Sequence, residues 1–137
     1  MKILGIDYGD RRTGVAVSDD SEFLASGVTT VKGTDMDVTA LKIAKICREQ
    51  SAGRIVLGLP KNMDGSEGFR AEHTRDFGQR LAALLPDIEL VYYDERMTTM
   101  AAAQYMNITD VRGKKRKDSI DLLAAKIILQ DYLDSKR

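Results

Sequence analysis

The 137-residue sequence predicts an α/β domain with a mixed five-stranded sheet flanked by helices, and three observations carry that expectation. The chain opens with three strand-like segments separated by turn residues. It then alternates helical and strand patterns, which is the signature of crossover connections. Its fourth strand-like run lacks polar alternation, as strands covered on both faces do. The length suits one domain, 1–137, with a single core, and 43% hydrophobic against 31% charged residues is globular rather than disordered composition.

Residues 2–8 read as a buried strand, and the glycine-bearing turn 9–14 returns the chain into Val15, Ala16, Val17 and Ser18, an opening hairpin. A third strand covers 26–31. After Gly33, Thr34 and Asp35, the residues Val38, Leu41, Ile43, Ala44, Ile46 and Cys47 recur at helical spacing, in a stretch expected to end near Gly53. Residues 54–59 form a fourth strand in a central position. A loop over 60–68 leads into a helix ending around Leu85 and Pro86, followed by a fifth strand over 88–93. A short helix is expected over 98–106, a polar and basic stretch over 107–117, and a last helix from about 118 to 133. Right-handed crossovers bring the C-terminal ends of the first and fourth strands side by side, where ligands of α/β sheets usually bind.

Composition excludes several classes. Lys and Arg number 21, as do Asp and Glu, so a net charge of zero gives no global pull toward nucleic acid, and any such pull is local. Cys47 is the only cysteine, which excludes a disulfide framework and points to a reducing cytoplasm. The apolar start at Ile3–Leu4–Gly5–Ile6 is too short for a signal-peptide core, and no run is long enough to span a bilayer.

Three acids interrupt or end apolar segments far apart in the chain: Asp7, Glu95 and Asp121. A carboxylate entering a packed layer is costly unless it is paired or bound to a cation, so several in one core predict a shared cation site. Asp7 also suits the cap of the following turn. Asp94 and Glu95 point to opposite sides of the fifth strand, and Glu95 is the one expected to face the metal. Arg96 is placed to orient a carboxylate or hold a phosphate, and Thr98 reads as a helix cap. Asp118 and Asp121 lie on one side of the last helix's expected first turn, where the helix dipole favours negative charge, Asp118 as cap or auxiliary acid. Such acids suit one or two Mg²⁺ or Mn²⁺ ions, which take oxygen ligands and promote phosphodiester hydrolysis.

The loop containing Lys61 and Asn62 offers amides and charge to a phosphate, or simply caps a helix. Arg112, Lys114, Lys115, Arg116 and Lys117 form the densest charge, beside the helix bearing Asp118 and Asp121, and Arg11 and Arg12 extend the same patch; such cations supply nonspecific nucleic-acid affinity. His73, the single histidine, reads as a surface residue of a solvated helix. With no nucleophile elbow to accompany it, a Ser-His-Asp hydrolase is a poor fit.

The chain resembles the YqgF family, also called RuvX, of RNase H-like nucleases. The likeness rests on four ordered blocks: Gly5-Ile6-Asp7-Tyr8-Gly9 with Arg12-Thr13-Gly14-Val15-Ala16; Gly58-Leu59-Pro60 through Asn62-Met63-Asp64-Gly65-Ser66; Asp94-Glu95-Arg96-Met97-Thr98-Thr99; and Asp121 with Ala124-Ala125 and Ile128-Leu129-Gln130. Met97 stands where leucine is common, a volume-conserving change. The resemblance implies a ribonuclease H-like fold, catalysis by Asp7, Glu95 and Asp121, and a role in maturing the 5′ end of pre-16S rRNA. Kinship to the RuvC resolvases implies cleavage of four-way DNA junctions as the alternative. A noncatalytic nucleic-acid-binding module is the reading from another class. A sugar-kinase-like nucleotide hydrolase needs two such domains, for which the chain is too short. Oligomeric state is not legible in the sequence.

Overall fold

The computed structural model describes residues 1–96 and 113–136, with only the backbone described over 113–119. The expected helix over 98–106, and Arg112 of the basic run, lie outside the described residues. Five strands, β1 (Lys2–Asp7), β2 (Arg12–Ser18), β3 (Ala25–Lys32), β4 (Ala52–Leu59) and β5 (Glu89–Asp94), form one sheet in the order β3-β2-β1-β4-β5. The first three pair antiparallel, whereas β1–β4 and β4–β5 are parallel. Helices α1 (Met36–Glu49) and α2 (Phe69–Leu84) make the two parallel crossovers, and α3 (Gly113–Ser135) follows β5.

Strand alternation divides the core into two layers. Leu4, Ile6, Ile55 and Leu57 pack with Ile43, Cys47, Phe77 and Leu81 of α1 and α2. Ile3, Ala16 and Val56 point the other way and pack with Ala125, Ile128, Leu129, Tyr132 and Leu133, a stripe at helical spacing along α3. Both sets are almost wholly buried. The sheet is built thin where α3 crosses it: a Cβ at Gly5 would stand 2.6 Å from Leu129 Cβ, and one at Gly27 would stand 2.8 Å from Leu122 Cγ. These glycines permit the close approach that larger residues would obstruct.

Two boundaries differ from expectation. Helix α1 stops at Glu49, with Ser51 in the left-handed region at φ 56°, and Gly53 lies inside β4 rather than ending the helix. Asp35 caps the start of α1, its carboxylate accepting the Val38 N–H at 3.0 Å. The last helix begins at Gly113, not near residue 118, because Lys and Arg are good helix formers and the basic run joins the helix. Asp118 is therefore interior rather than a cap, and Asp121 lies beyond the first turns, where the helix dipole gives it little support. Among the described residues, no helix is long and apolar enough to cross a membrane.

Candidate active site

The C-terminal ends of β1 and β4 lie side by side, as right-handed crossovers require, and Asp7 is the last residue of β1. Alternation from Ile3 through Gly5 puts Asp7 on the α3 face. Its partner across β2 is Gly14. One step beyond the Ile6–Leu57 pair, Gly58 of β4 flanks it on the other side. Asp7 thus stands between two glycines, in a trough with no flanking side chains.

Each glycine admits one further acid. A Cβ at Gly14 would collide with the Asp121 carbonyl oxygen, so the missing side chain is what lets α3 lie against β2 at the height of Asp7. A Cβ at Gly58 would stand 2.5 Å from Glu95 Oε2 and 2.7 Å from Ile128 Cδ1. The Glu95 carboxylate occupies the space that residue 58 vacates. Its backbone N–H donates to the Leu59 carbonyl at 3.3 Å, holding the residue beyond β5 against the end of β4. Val91 and Tyr93 face α3, so the same alternation sends Glu95 to that side and Asp94 away from it.

Electrostatics register the convergence. Burial, then the charges of Glu95 and Asp121, push the Asp7 carboxyl from its ordinary 3.8 up to about 8, against the opposing pull of the Arg70 guanidinium. Burial also raises Glu95, with Asp94 adding to the rise and Arg70 opposing it. Asp121 Oδ2 is withdrawn from solvent. Among the described residues, no three of His, Cys, Asp or Glu stand ready-arranged as a metal cage. The three acids share a trough but do not close a cage.

The remaining candidates divide. Asp94 lies in an ion pair with Arg96, whose Nη2 is 2.6 Å from Oδ2, and this guanidinium holds its carboxyl below the usual range. Arg96 Nη1 also donates to the Met63 carbonyl at 3.3 Å, so this arginine ties the end of β5 to the β4–α2 loop. Asn62 is engaged within that loop, its Nδ2 donating to Ser66 Oγ at 2.9 Å. Lys61 adds positive potential at Asp94 and Glu67. Arg11 is exposed in the β1–β2 turn and Arg12 is half-buried at the start of β2. Lys114 to Lys117 belong to α3, where only their backbone is described.

His73 lies at the surface of α2, its side chain 42% exposed. Its Nδ1 is 3.6 Å from Asp10 Oδ1 and its ring 4.2 Å from that of Phe69. Arg70 escaped the sequence reading as a site residue. Its clue is position: the first turn of a helix that follows a parallel strand faces that strand's C-terminal end. The glycines at 14 and 58 escaped as site-shaping residues too, although a glycine at the end of an apolar strand signals close approach.

This sheet order, with acids gathered at the end of its first strand, is that of a ribonuclease H-like protein. A T. thermophilus RuvC structure in complex with a Holliday junction substrate aligns with a TM-score of 0.63 at 12% identity, covering 99% of this chain and 95% of the other. The fowlpox virus resolvase with Holliday junction DNA gives 0.61 at 10% identity, covering 99% of both chains, and at these identities the likeness is one of fold. The model of the RuvX family, described as Holliday junction resolvase, matches residues 1–135, and the chain belongs to that family. Relatives named "Putative pre-16S rRNA nuclease" include one from Staphylococcus carnosus, 43% identical over 98% of this chain and 96% of its own length. Another, from Agathobacter rectalis, is 44% identical over 98% and 95%. By family the chain is a nuclease, a hydrolase of nucleic-acid ester bonds.

Proposed function

We propose that this chain hydrolyses phosphodiester bonds in precursor 16S rRNA, trimming its 5′ end in the cytoplasm, with Asp7, Glu95 and Asp121 as the catalytic acids. The observation that carries the reading is the trough itself. Two glycines clear the flanks of Asp7, and the space they clear admits the Glu95 carboxylate and the Asp121 backbone. No packing requirement calls for acids there, since apolar residues would fill the same space without the desolvation penalty.

The donor chemistry of the trough fits Mg²⁺ or Mn²⁺, one or two ions: hard carboxylate oxygens, like-charged and held apart from water. Mg²⁺ keeps several of its own waters and takes one or two carboxylates, so a preformed cage is not required. Asp7 and Asp121 would hold the ion with Glu95, and when bound it supplies Lewis acidity toward the phosphodiester. Arg70 partly offsets the acids and attracts the phosphate. Arg96 positions Asp94 and the β4–α2 loop. Arg11, Arg12, Lys61 and the cations 112 and 114–117 neutralise the nucleic-acid backbone, and Asp118 assists from α3.

The family description favours a second substrate, a four-way DNA junction. A cleavage assay with Mg²⁺ and Mn²⁺, on a 5′-extended 16S rRNA leader and on such a junction, tests both. The precursor RNA is the expected substrate, cut by the parent and not by Asp7→Asn. Junction cleavage alone selects the second reading, and full activity in Asp7→Asn refutes the assignment of the site.

A further inference from the structure

Beside the acidic trough the protein displays a largely exposed aromatic residue. Phe69 opens α2 with 68% of its surface exposed. Its ring and that of His73, one helical turn on, lie with centroids 4.2 Å apart and planes inclined by 42°. Both rings border a small cavity of about 90 Å³, with Tyr8, Pro60, Arg70 and Thr74 among its other walls. The cavity abuts the C-terminal end of β1, since Tyr8 directly follows Asp7. Arg70, next to Phe69 in the chain, is the guanidinium whose charge reaches both Asp7 and Glu95.

Singly exposed apolar side chains are ordinary, but this ring borders a cavity and adjoins a guanidinium next to the acids, where a ligand can meet it. Flat aromatic faces beside a cation are what unpaired nucleobases stack upon, and stacking tolerates every base because each has a π-face. Paired bases inside a duplex do not present those faces.

Resting on the nuclease reading above, we propose that Phe69, backed by His73, is a stacking platform for an unpaired base of the substrate. Arg70 steers the adjoining phosphate toward the acids. The site thereby selects single-stranded or splayed nucleotides at the position of cleavage, rather than continuous duplex.

The test is equilibrium binding with EDTA present to hold hydrolysis off. The probe is a short single-stranded RNA carrying 2-aminopurine, compared with the same RNA annealed to its complement. The parent is expected to quench the single-stranded probe. Phe69→Ala is expected to lose the quenching and about tenfold in affinity for the single strand, with duplex affinity unchanged, and Phe69→Trp to restore both. Because the side chain is exposed, neither variant disturbs the core. A Phe69→Ala protein that quenches and binds like the parent overturns the proposal, as does an equal loss for both probes. Base stacking without hydrolysis in the cleavage assay would retain the platform and remove the nuclease reading, whereas hydrolysis abolished by Asp7→Asn with no Phe69-dependent quenching would do the reverse.

Discussion

Replacing Asp7 by Asn keeps the shape of the side chain and removes its charge, and the structure sets the size of the response. The Asp7 carboxyl titrates near 8 in the folded protein and near 3.8 when unfolded. Below pH 3.8 both states carry the proton, and the group costs nothing. As pH rises from 3.8 to 8 the unfolded chain releases its proton while the folded one keeps it, so stability is progressively lost. At about 1.4 kcal/mol per pH unit, the interval up to pH 7 amounts to about 4 kcal/mol. Asp7→Asn is therefore expected to be more stable than the parent at pH 7 in EDTA by several kcal/mol. The advantage should fade toward pH 4 and shrink on adding Mg²⁺, which binds the parent's carboxylates. Urea unfolding of both proteins at a series of pH values, with and without Mg²⁺, measures it. An Asn variant no more stable at pH 7, or a gap that ignores pH, would refute the claim that burial and neighbouring acids burden Asp7.

Gly58→Ala places a methyl group on the Glu95 carboxylate and on Ile128, an overpacking worth about 1–3 kcal/mol. The expected result is a modestly lower urea midpoint with a fall of at least roughly tenfold in kcat and little change in KM, the pattern of a lost transition-state interaction; steady-state cleavage reads it. Arg70→Ala removes the positive charge that lowers Asp7 and Glu95, so both carboxyls rise further. The acidic limb of the cleavage rate should move to higher pH, as a pH–rate profile would show.

Local pattern was enough to expose much of this protein. Period-two and helical spacing located the strands and helices, since these repeats are properties of neighbouring residues. The acids Asp7, Glu95 and Asp121 stood out because each breaks or ends an apolar run, and alternation lets only one of Asp94 and Glu95 face inward, but it took the packing of Val91 and Tyr93 against α3 to put Glu95 on that side. Other features belong to pairs of residues distant in the chain, and no local pattern encodes them. The start of α3 at Gly113 reflects a helix carried back into a basic run that reads locally as loop.

Arg70, unremarkable on a polar helix, acquires meaning only because the crossover sets α2 beside the end of β1. His73 sits at the surface as its helix suggests, and only its approach to Asp10 is set by the fold. Gly14 reads as the end of a turn and Gly58 as one residue of an apolar strand, yet their role is to yield space to Asp121 and Glu95, more than thirty residues away. The sequence by itself determined which side chains carry charge into the core and on which face of its own element each lies. The tertiary structure alone decided that those faces meet at one height of the sheet, because register between strands and the depth at which α3 settles are set by long-range packing rather than by any single segment.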